Sequence, residues 1–282
     1  MTTYQTTHVV FFSPTHSSAK TARAIAEGIG MPRRIETDLT FDVETSPILI
    51  EDSLTIIAAP VYGGLIAEVA MERIKRLRGK NSPVIIVALY GNRDYEDALV
   101  QLRDTVTENG FIPLAAGAFI GEHSYSRPDE GMPIADGRPD ASDIQKAKNF
   151  GKACLEKLET ATANINVYSE NNKSSVINPE FTEAISNFFI KGNVPYKVIT
   201  HGTPTCPIST DDCFACGECI DLCPTHAISL DEEGKIVTDV NNCIRCCACV
   251  KGCPANARVY NTPYTARLFQ NFSTRREPEM FL

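Results

Sequence analysis

Eight cysteines in the last third of the sequence have a spacing that suits metal binding. They form two identical patterns, Cys213, Cys216, Cys219 and Cys223 before Pro224, and Cys243, Cys246, Cys249 and Cys253 before Pro254. A zinc site normally has two cysteine pairs with a longer spacer, which three cysteines in succession do not match. A disulfide framework is typical of short secreted chains, and this chain has 282 residues. The pattern therefore favours thiolate-bound metal clusters.

The doubled run Cys-x2-Cys-x2-Cys-x3-Cys-Pro resembles that of bacterial ferredoxins with two [4Fe–4S] clusters. The resemblance implies that three neighbouring thiolates bind three irons of one cube, and that the proline-linked cysteine of the other half binds the fourth. The first cluster is expected on Cys213, Cys216, Cys219 and Cys253. The second cluster is expected on Cys243, Cys246, Cys249 and Cys223.

Three cysteines lie outside these two sets. Cys154 belongs to the apolar stripe of a predicted helix and is expected in a core. Cys247 aligns with Gly217 of the other half and is expected to remain unligated. Cys206 precedes the motif and is expected to form no bond.

Composition limits the class of protein. Hydrophobic residues make up 43% and charged residues 22% of the chain, as in ordinary globular proteins. No basic stretch precedes an apolar run at the N-terminus, and no apolar run is long enough to span a bilayer. Eleven cysteines then predict a reducing cytoplasm. A net charge of −8 disfavours nucleic acid as a partner. The acidity suits the basic patch of a redox partner, or serves solubility alone.

Apolar runs and helical patterns alternate over the first half of the chain. This alternation predicts a doubly wound α/β fold with a parallel sheet that is covered on both faces. The predicted strands are Val9–Phe12, a weak strand near Arg33–Thr37, Ser53–Ala59, Val84–Leu89 and Phe111–Ile120. The predicted helices are a stripe from Ala22 to Ile29, then Leu65–Arg78, Tyr95–Asn109 and Ile144–Leu158.

The chain is predicted to have two domains and two connecting or terminal pieces. Residues 1–159 form the α/β domain, and residues 205–258 form the small α+β cysteine domain with a hairpin of Ile228–Leu230 and Lys235–Val237. Residues 160–204 are predicted to be a linker with a docking helix that carries Phe181, Ile185, Phe188 and Phe189. Residues 259–282 are a tail without a clear pattern.

A hydroxyl-rich loop follows the first predicted strand. Its candidate phosphate-binding residues are Ser13, Thr15, His16, Ser17 and Ser18. Hydroxyl groups and free N–H groups at a helix N-terminus bind phosphate monoesters, although the same residues also suit a simple N-cap. Neither a Walker loop nor a nicotinamide fingerprint is present.

The hydroxyl loop resembles the phosphate loop of flavodoxins, and the chain resembles the flavodoxin–ferredoxin fusion proteins of anaerobes. That resemblance covers about residues 7–159 and 205–258 and implies a five-stranded sheet that binds FMN. Two further loops match the pattern at the carboxyl ends of strands. Their candidate flavin contacts are Pro60, Val61, Tyr62, Gly63 and Gly64, and Tyr90, Gly91, Asn92, Tyr95 and Asp97. Tyr95 also suits the apolar stripe of its helix.

His123 begins a long loop after the fifth strand. A histidine titrates near neutrality and can protonate a flavin or a substrate. A structural turn is the other interpretation of this loop, which ends near Pro139.

Together these patterns predict an iron–sulfur flavoprotein that exchanges electrons between two [4Fe–4S] clusters, FMN and a redox partner such as a ferredoxin or an oxidoreductase. One alternative is an FMN-dependent reductase of a small organic substrate, with its pocket at residues 121–139. A second alternative is a redox sensor that signals through the helix near Phe181–Phe189. The sequence determines neither the direction of electron flow nor the oligomeric state.

Overall fold

The structure is a computed structural model, which describes residues 4–166, 179–200 and 202–282. The strands are β1 (Thr6–Phe11), β2 (Arg33–Asp38), β3 (Ile48–Glu51), β4 (Leu54–Tyr62), β5 (Leu65–Ile66), β6 (Leu77–Lys80), β7 (Pro83–Tyr90), β8 (Ile112–Ile120), β9 (Ile208–Ser209), β10 (Ile228–Leu230), β11 (Ile236–Thr238), β12 (Arg258–Val259) and β13 (Glu279–Phe281). The helices are α1 (Ser17–Ile29), α2 (Glu68–Ile74), α3 (Ala98–Glu108), α4 (Ala141–Asn166), α5 (Pro179–Ser186), α6 (Glu218–Asp221), α7 (Ala248–Lys251) and α8 (Tyr264–Phe272).

Five parallel strands form the centre of the main sheet, in the order β2-β1-β4-β7-β8. Counted among themselves, these strands have the order 2-1-3-4-5, which is that of flavodoxin-like folds. The predicted fold class is therefore confirmed. Two additions were not predicted, since β5 pairs antiparallel with β4, and β13 pairs antiparallel with the free edge of β8.

Buried strands give the sheet a core on each face. Neighbouring residues of one strand point to opposite faces. Thus Ile57 and Ile86 pack with α2 and α3, whereas Ile56 and Ile85 pack with α1 and α4. The near-continuous apolar strands follow from this double coverage.

The helix predicted at Leu65–Arg78 is wrong at both ends. Leu65 and Ile66 form β5, and the chain after α2 returns to an extended strand, β6, that pairs with β3. The buried Leu77 belongs to this strand. The helix predicted from Tyr95 begins instead at Ala98, because Glu96 has a left-handed backbone with φ of 41°.

The predicted linker begins later than expected. Helix α4 continues to Asn166, so residues 160–166 are helical, and residues 167–178 of the predicted linker lie outside the described residues. Helix α5 buries Phe181 and Ile185 in the core of the α/β domain, next to β8 and α4. Its apolar face therefore packs within that domain, while Phe189 beyond it is 77% exposed.

The cysteine domain is small and contains two short antiparallel pairs. One is the predicted hairpin, β10 with β11, which starts one residue later than expected in its second strand and turns at Gly234. The other joins β9 to β12. Helices α6 and α7 follow the two cysteine loops at matching positions. Among the described residues, no helix is both long and apolar enough to cross a membrane.

Candidate functional site

The two cysteine runs have the same backbone conformation. Three positions with left-handed backbone recur at a separation of thirty residues, as the matching φ values show. The pairs are Ala215 (56°) with Arg245 (57°), Gly217 (88°) with Cys247 (59°), and His226 (52°) with Asn256 (51°). Non-glycine residues seldom adopt this conformation, so its exact recurrence shows an internal structural repeat.

A cavity in this domain brings together the cysteines that were expected to bind one cluster. Cys223, Cys243, Cys246 and Cys249 all line it, and its empty space is about 320 Å³ including the open mouth. Cys223 comes from the other half of the repeat, as the ferredoxin resemblance implies. The sulfurs do not converge on one point, since no group of three or more His, Cys, Asp or Glu residues in the described ranges is arranged to hold a single ion.

Of the remaining four predicted ligands, three are partly or fully accessible to solvent. Cys219 is buried with Cys213 packed against the same small core, whereas Cys216 is exposed and Cys253 is half-buried. The structure thus gives the two expected clusters different surroundings. One is enclosed and the other is near the surface.

Backbone amides point at the proline-linked sulfurs in both halves. Ala227 N–H donates to Cys223 Sγ at 3.2 Å, and Ala257 N–H donates to Cys253 Sγ at 3.3 Å. Such N–H···S bonds stabilise a thiolate and are among the features that set cluster potentials. Burial raises the pKa of Cys246 to about 12, so metal binding there must displace a proton.

The other three cysteines have different surroundings, and Cys247 is also among the residues that line the cavity. Cys154 is fully buried in the α/β core, as predicted. Cys247 is also buried, and its Sγ donates weakly to the carbonyl oxygen of Arg245 at 3.6 Å. Cys206 is half-buried. The pKa of Cys243 is raised mainly by burial, and the nearby charge of Cys206 raises it further. All eleven cysteines are free.

The hydroxyl loop leads into the N-terminus of helix α1. Ser13 is buried, its N–H donates to Thr40 Oγ1 at 2.8 Å, and its Oγ accepts from the N–H of Ala19 at 3.0 Å. His16 is exposed and has a left-handed backbone with φ of 65° at the start of α1. Ser18 is buried, while Thr15 and Ser17 are half-buried and remain the better-placed hydroxyls for a ligand. Thr40 carried no motif by which the sequence could have identified it.

The loop after β4 lies next to the enclosed cysteines. Pro60, Val61 and Tyr62 end that strand half-buried, and Gly63 and Gly64 have φ of 65° and 92°. Burial of the hydroxyl end raises the pKa of Tyr62 well above its usual value. The charges of Cys246 and Cys247 raise it further, which places that hydroxyl beside the cysteine domain.

Residues in and after the loop that follows β7 are hydrogen-bonded to other parts of the chain. Tyr90 packs on Tyr95, whose hydroxyl donates to Glu279 Oε2 at 2.8 Å. Asn92 is buried, and its Nδ2 donates to the carbonyl oxygens of Phe272 and Thr274. These contacts join the loop to the C-terminal segment, so a flavin contact of Tyr95 or Asn92 stays a prediction.

Asp97 and Gly91 also have protein partners. The Asp97 carboxylate accepts from the backbone N–H groups of Asn193 and Lys197, both at 2.8 Å. A Cβ on Gly91 would lie 2.5 Å from the His123 ring. Glycine is therefore needed at this position for the close approach of the loop that follows β8, independently of any flavin.

His123 belongs to a hydrogen-bonded turn. Its Nδ1 accepts from the N–H of Tyr125 at 3.0 Å, and its carbonyl oxygen accepts from the N–H of Ser126. Burial, with Lys251 and Arg93 nearby, lowers the pKa of His123 to about 4. The expectation that it titrates near neutrality is wrong for this structure, because a desolvated histidine beside two cations stays neutral.

Contacts between the two domains surround these loops. Lys251 Nζ donates to Glu122 Oε1 at 2.5 Å, and the rings of Tyr125 and Tyr260 are 5.1 Å apart. Ile244, between two cysteines, packs against the α/β core. The second half of the cysteine repeat supplies these contacts, and the first half adds the carbonyl oxygen of Pro224, which accepts from Arg73 Nη2 at 2.8 Å.

Comparison with known proteins supports the cysteine domain directly. Residues 212–257 match the family model described as a 4Fe-4S dicluster domain. No curated protein matches the chain. The cysteine domain is thus similar to a family of iron–sulfur domains over these residues.

Several solved structures each match a little over half of the chain. One is a flavodoxin from the domain Archaea, with 14% sequence identity over 55% of this chain and 99% of that one, and a TM-score of 0.35. Another is a flavodoxin of Streptococcus pneumonia TIGR4, with 13% identity over 55% of this chain and 98% of that one, and a TM-score of 0.35. An azoreductase from Bacillus anthracis str. Sterne also matches, with 10% identity over 53% of this chain and 99% of that one, and a TM-score of 0.36. TM-scores of this size carry no weight, and the flavodoxin-like assignment rests on the strand order. The chain joins a flavodoxin-like α/β domain to a 4Fe-4S dicluster domain.

Proposed function

We propose that this protein is an iron–sulfur flavoprotein that transfers electrons between FMN, two [4Fe–4S] clusters and a redox partner protein. The observation that carries the proposal is the cavity lined by Cys223, Cys243, Cys246 and Cys249, which adjoins the Tyr62 loop of the flavodoxin-like domain. When bound, a flavin takes up two electrons with protons and each cluster carries one electron at a time.

The burial of the cysteines supports an order for the carriers. Cys246 is buried beside Tyr62 of the α/β domain, whereas Cys216 is exposed and Phe214 beside it is 67% exposed. We infer that the cluster on Cys243, Cys246, Cys249 and Cys223 is next to the flavin. The other cluster then meets the partner at the surface. Each encounter moves one electron, so the partner must be a one-electron donor or acceptor.

The α/β domain contributes the flavin site in this proposal. The N-terminus of α1 offers unpaired N–H groups and the hydroxyls of Thr15 and Ser17 to a phosphate. Tyr62 ends β4 at the edge of the sheet where ligands bind in this fold. Lys157 donates to the carbonyl oxygens of Leu114 and Ile185, and Lys197 pairs with Glu96, so hydroxyls and N–H groups supply the phosphate contacts in this proposal.

The reductase alternative receives less support from the loop at residues 121–139. His123 is neutral at pH 7 and is therefore a poor proton donor, and Tyr125 is stacked between His123 and Tyr260. Comparing Tyr125→Phe with the parent separates the two functions. A one-electron carrier keeps its rate with a small redox protein, whereas a substrate reductase loses turnover of its organic acceptor.

Full-length protein purified without oxygen provides the main test. Iron, sulfide and flavin are quantified chemically, and the parent is compared with a Thr15→Ala/Ser17→Ala variant. We expect about eight irons per chain in both proteins, with flavin lost from the variant only. Zinc in place of iron overturns the cluster assignment, and equal flavin content in both proteins overturns the phosphate site.

A further inference from the structure

Arg258 is a buried cation at the junction of the two cysteine sets. It lies in β12, where it pairs with Ser209, and it is 2% exposed. Its Nη1 donates to Ser209 Oγ at 3.0 Å, and its Nη2 donates to Pro207 O at 3.0 Å and Thr238 Oγ1 at 2.7 Å. These bonds hold the guanidinium in one orientation.

The charge of this guanidinium has no carboxylate to neutralise it. Within the described ranges Arg258 forms no ion pair, and its buried Nε has no hydrogen-bond partner. Burying a cation without a counter-charge lowers the free energy of unfolding by roughly several kcal/mol. The unpartnered Nε and the missing counter-charge together indicate that an anionic group belongs beside it.

Sulfurs of both sets are the groups next to this cation. Its Nη2 is bonded to Pro207 and Thr238, which line the cavity together with Cys249, and Cys249 packs with Cys219 in one small core. Burial raises the pKa of Cys219 and of Cys249, and the charge of Arg258 opposes that rise in both. Cys219 is an expected ligand of the first cluster, and Cys249 of the second. One guanidinium therefore lies within electrostatic reach of both.

The internal repeat shows that the cation is not required by the fold. Residue 258 corresponds to Ile228, thirty residues earlier, which is also buried at the start of a short strand. The preceding residues, Ala227 and Ala257, make the same N–H···S bond. The same backbone thus accepts an apolar side chain in one half and arginine in the other.

We propose that Arg258 is a shared counter-ion that makes both clusters easier to reduce. This inference rests on the proposed function. A [4Fe–4S] cube with four thiolates is anionic, and reduction adds one more negative charge. A fixed cation in a low-dielectric site stabilises the more negative form, and net charge and hydrogen bonds to sulfur are known determinants of cluster potential. The cation acts on two clusters because an expected ligand of each, Cys219 and Cys249, lies within its electrostatic reach.

An EPR-monitored redox titration of the full chain, purified without oxygen, tests the proposal. Arg258→Met removes the charge at similar length, and Arg258→Lys keeps it. We expect Arg258→Met to lower the ratio of reduced to oxidised cluster at least tenfold, for both clusters, at the parent's midpoint potential. That change equals 59 mV for a one-electron couple. Arg258→Lys is expected to shift the ratio less than threefold.

A matched control removes a cation far from the sulfurs. Lys235 is exposed in the β10–β11 turn and pairs with Glu233, so Lys235→Met is expected to leave both midpoints unchanged. Unchanged midpoints in Arg258→Met with full iron content overturn the counter-ion role, and so does a shift confined to one cluster.

Iron analysis covers the case in which Arg258→Met does not assemble. Loss of iron in Arg258→Met with retention in Arg258→Lys supports a need for the charge. Equal loss in both variants shows that the bonds to Pro207, Ser209 and Thr238 matter instead, and overturns the proposal. A parent protein without iron–sulfur clusters contradicts the proposed function itself, so the two failures are distinguishable.

Discussion

Arg73 of the flavodoxin-like domain donates from Nη2 to the carbonyl oxygen of Pro224 at 2.8 Å. Pro224 directly follows Cys223, one of the cavity cysteines. The Nη1 of the same guanidinium donates to the carbonyl oxygens of Leu39 and Thr40. Thr40 in turn accepts from Ser13 in the hydroxyl loop. One side chain therefore connects the candidate phosphate loop of one domain to a predicted cluster ligand of the other.

We expect Arg73→Gln to loosen the contact between the two domains. Glutamine is too short to reach all three carbonyl oxygens, and bonds from a charged donor contribute about 1.5–3 kcal/mol each. Hydrogen exchange of the full chain should rise about tenfold or more, both near residue 40 and near residue 225. The control is Arg78→Gln, because among the described residues Arg78 bonds to Lys75, Leu77 and Asn109, all within its own domain. Faster exchange limited to the neighbours of residue 73 would contradict the bridging role.

The elements that follow from local pattern were predictable, and those that follow from distant contacts were not. Val84–Leu89 was apolar enough to be recognised as a buried strand, and β7 contains it. In contrast, Glu279–Phe281 has no periodic pattern, and β13 forms only because the edge of β8 offers unpaired backbone groups. Leu77 fits the apolar stripe of a helix as well as it fits a strand. It lies in a strand because it pairs with Ile48 of β3.

The candidate site shows the same division. The cysteine spacing is a local signal and identified four of the five cysteines that line the cavity. Arg73, Thr40 and Arg258 have no motif around them, because their roles come from contacts across twenty or more residues of sequence. Asn92 matched a flavin loop in sequence, yet its side chain bonds to the C-terminal segment.

Cys216→Ala and Cys246→Ala are expected to remove different clusters. Each variant should lose about four of about eight irons. Because Cys246 is buried beside the Tyr62 loop and Cys216 is exposed, only Cys246→Ala should separate the flavin from the remaining cluster. Rapid-mixing absorbance measures flavin reduction by a reduced one-electron donor, with Cys154→Ala as a control for loss of a thiol. Equal slowing in both ligand variants would argue against the proposed order of carriers.

Asn92→Asp should release the C-terminal segment from the sheet. The variant keeps the Oδ1 that accepts from Arg276 N–H, but it loses both Nδ2 donors and places a negative charge against two carbonyl oxygens. Asparagine and aspartate both tolerate the left-handed backbone at this residue, with φ of 63°. We expect amide exchange in Glu279–Phe281 to rise at least tenfold.

A second asparagine gives the control for that variant. Asn271 also donates from Nδ2 to a carbonyl oxygen, that of Arg267, but only within its own helix and at the surface. Asn271→Asp should therefore leave exchange in β13 at the parent level. If Asn92→Asp behaves in the same way, the pairing of β13 with β8 holds the segment without help from Asn92.

Acid is expected to destabilise the protein through His123. The unfolded histidine has a pKa near 6.5, whereas burial beside Lys251 and Arg93 lowers the folded pKa to about 4. Between these values the unfolded chain binds a proton that the folded chain does not, so the free energy of unfolding falls as the pH falls from 6.5 towards 4. At pH 5 this contribution is a loss of about 2 kcal/mol relative to pH 8.

Denaturant unfolding of the full chain at pH 8 and pH 5, followed by circular dichroism, measures this effect. His123→Asn cannot titrate, and its side-chain oxygen can still accept from the N–H of Tyr125 as Nδ1 does. Its loss of stability between the two pH values should be about 2 kcal/mol smaller than that of the parent. His226→Asn is the control, because His226 is exposed and the matching position of the repeat already carries Asn256. If the parent and His123→Asn lose the same stability, His123 accepts its proton while the protein is folded, and the loop after β8 must be open to water.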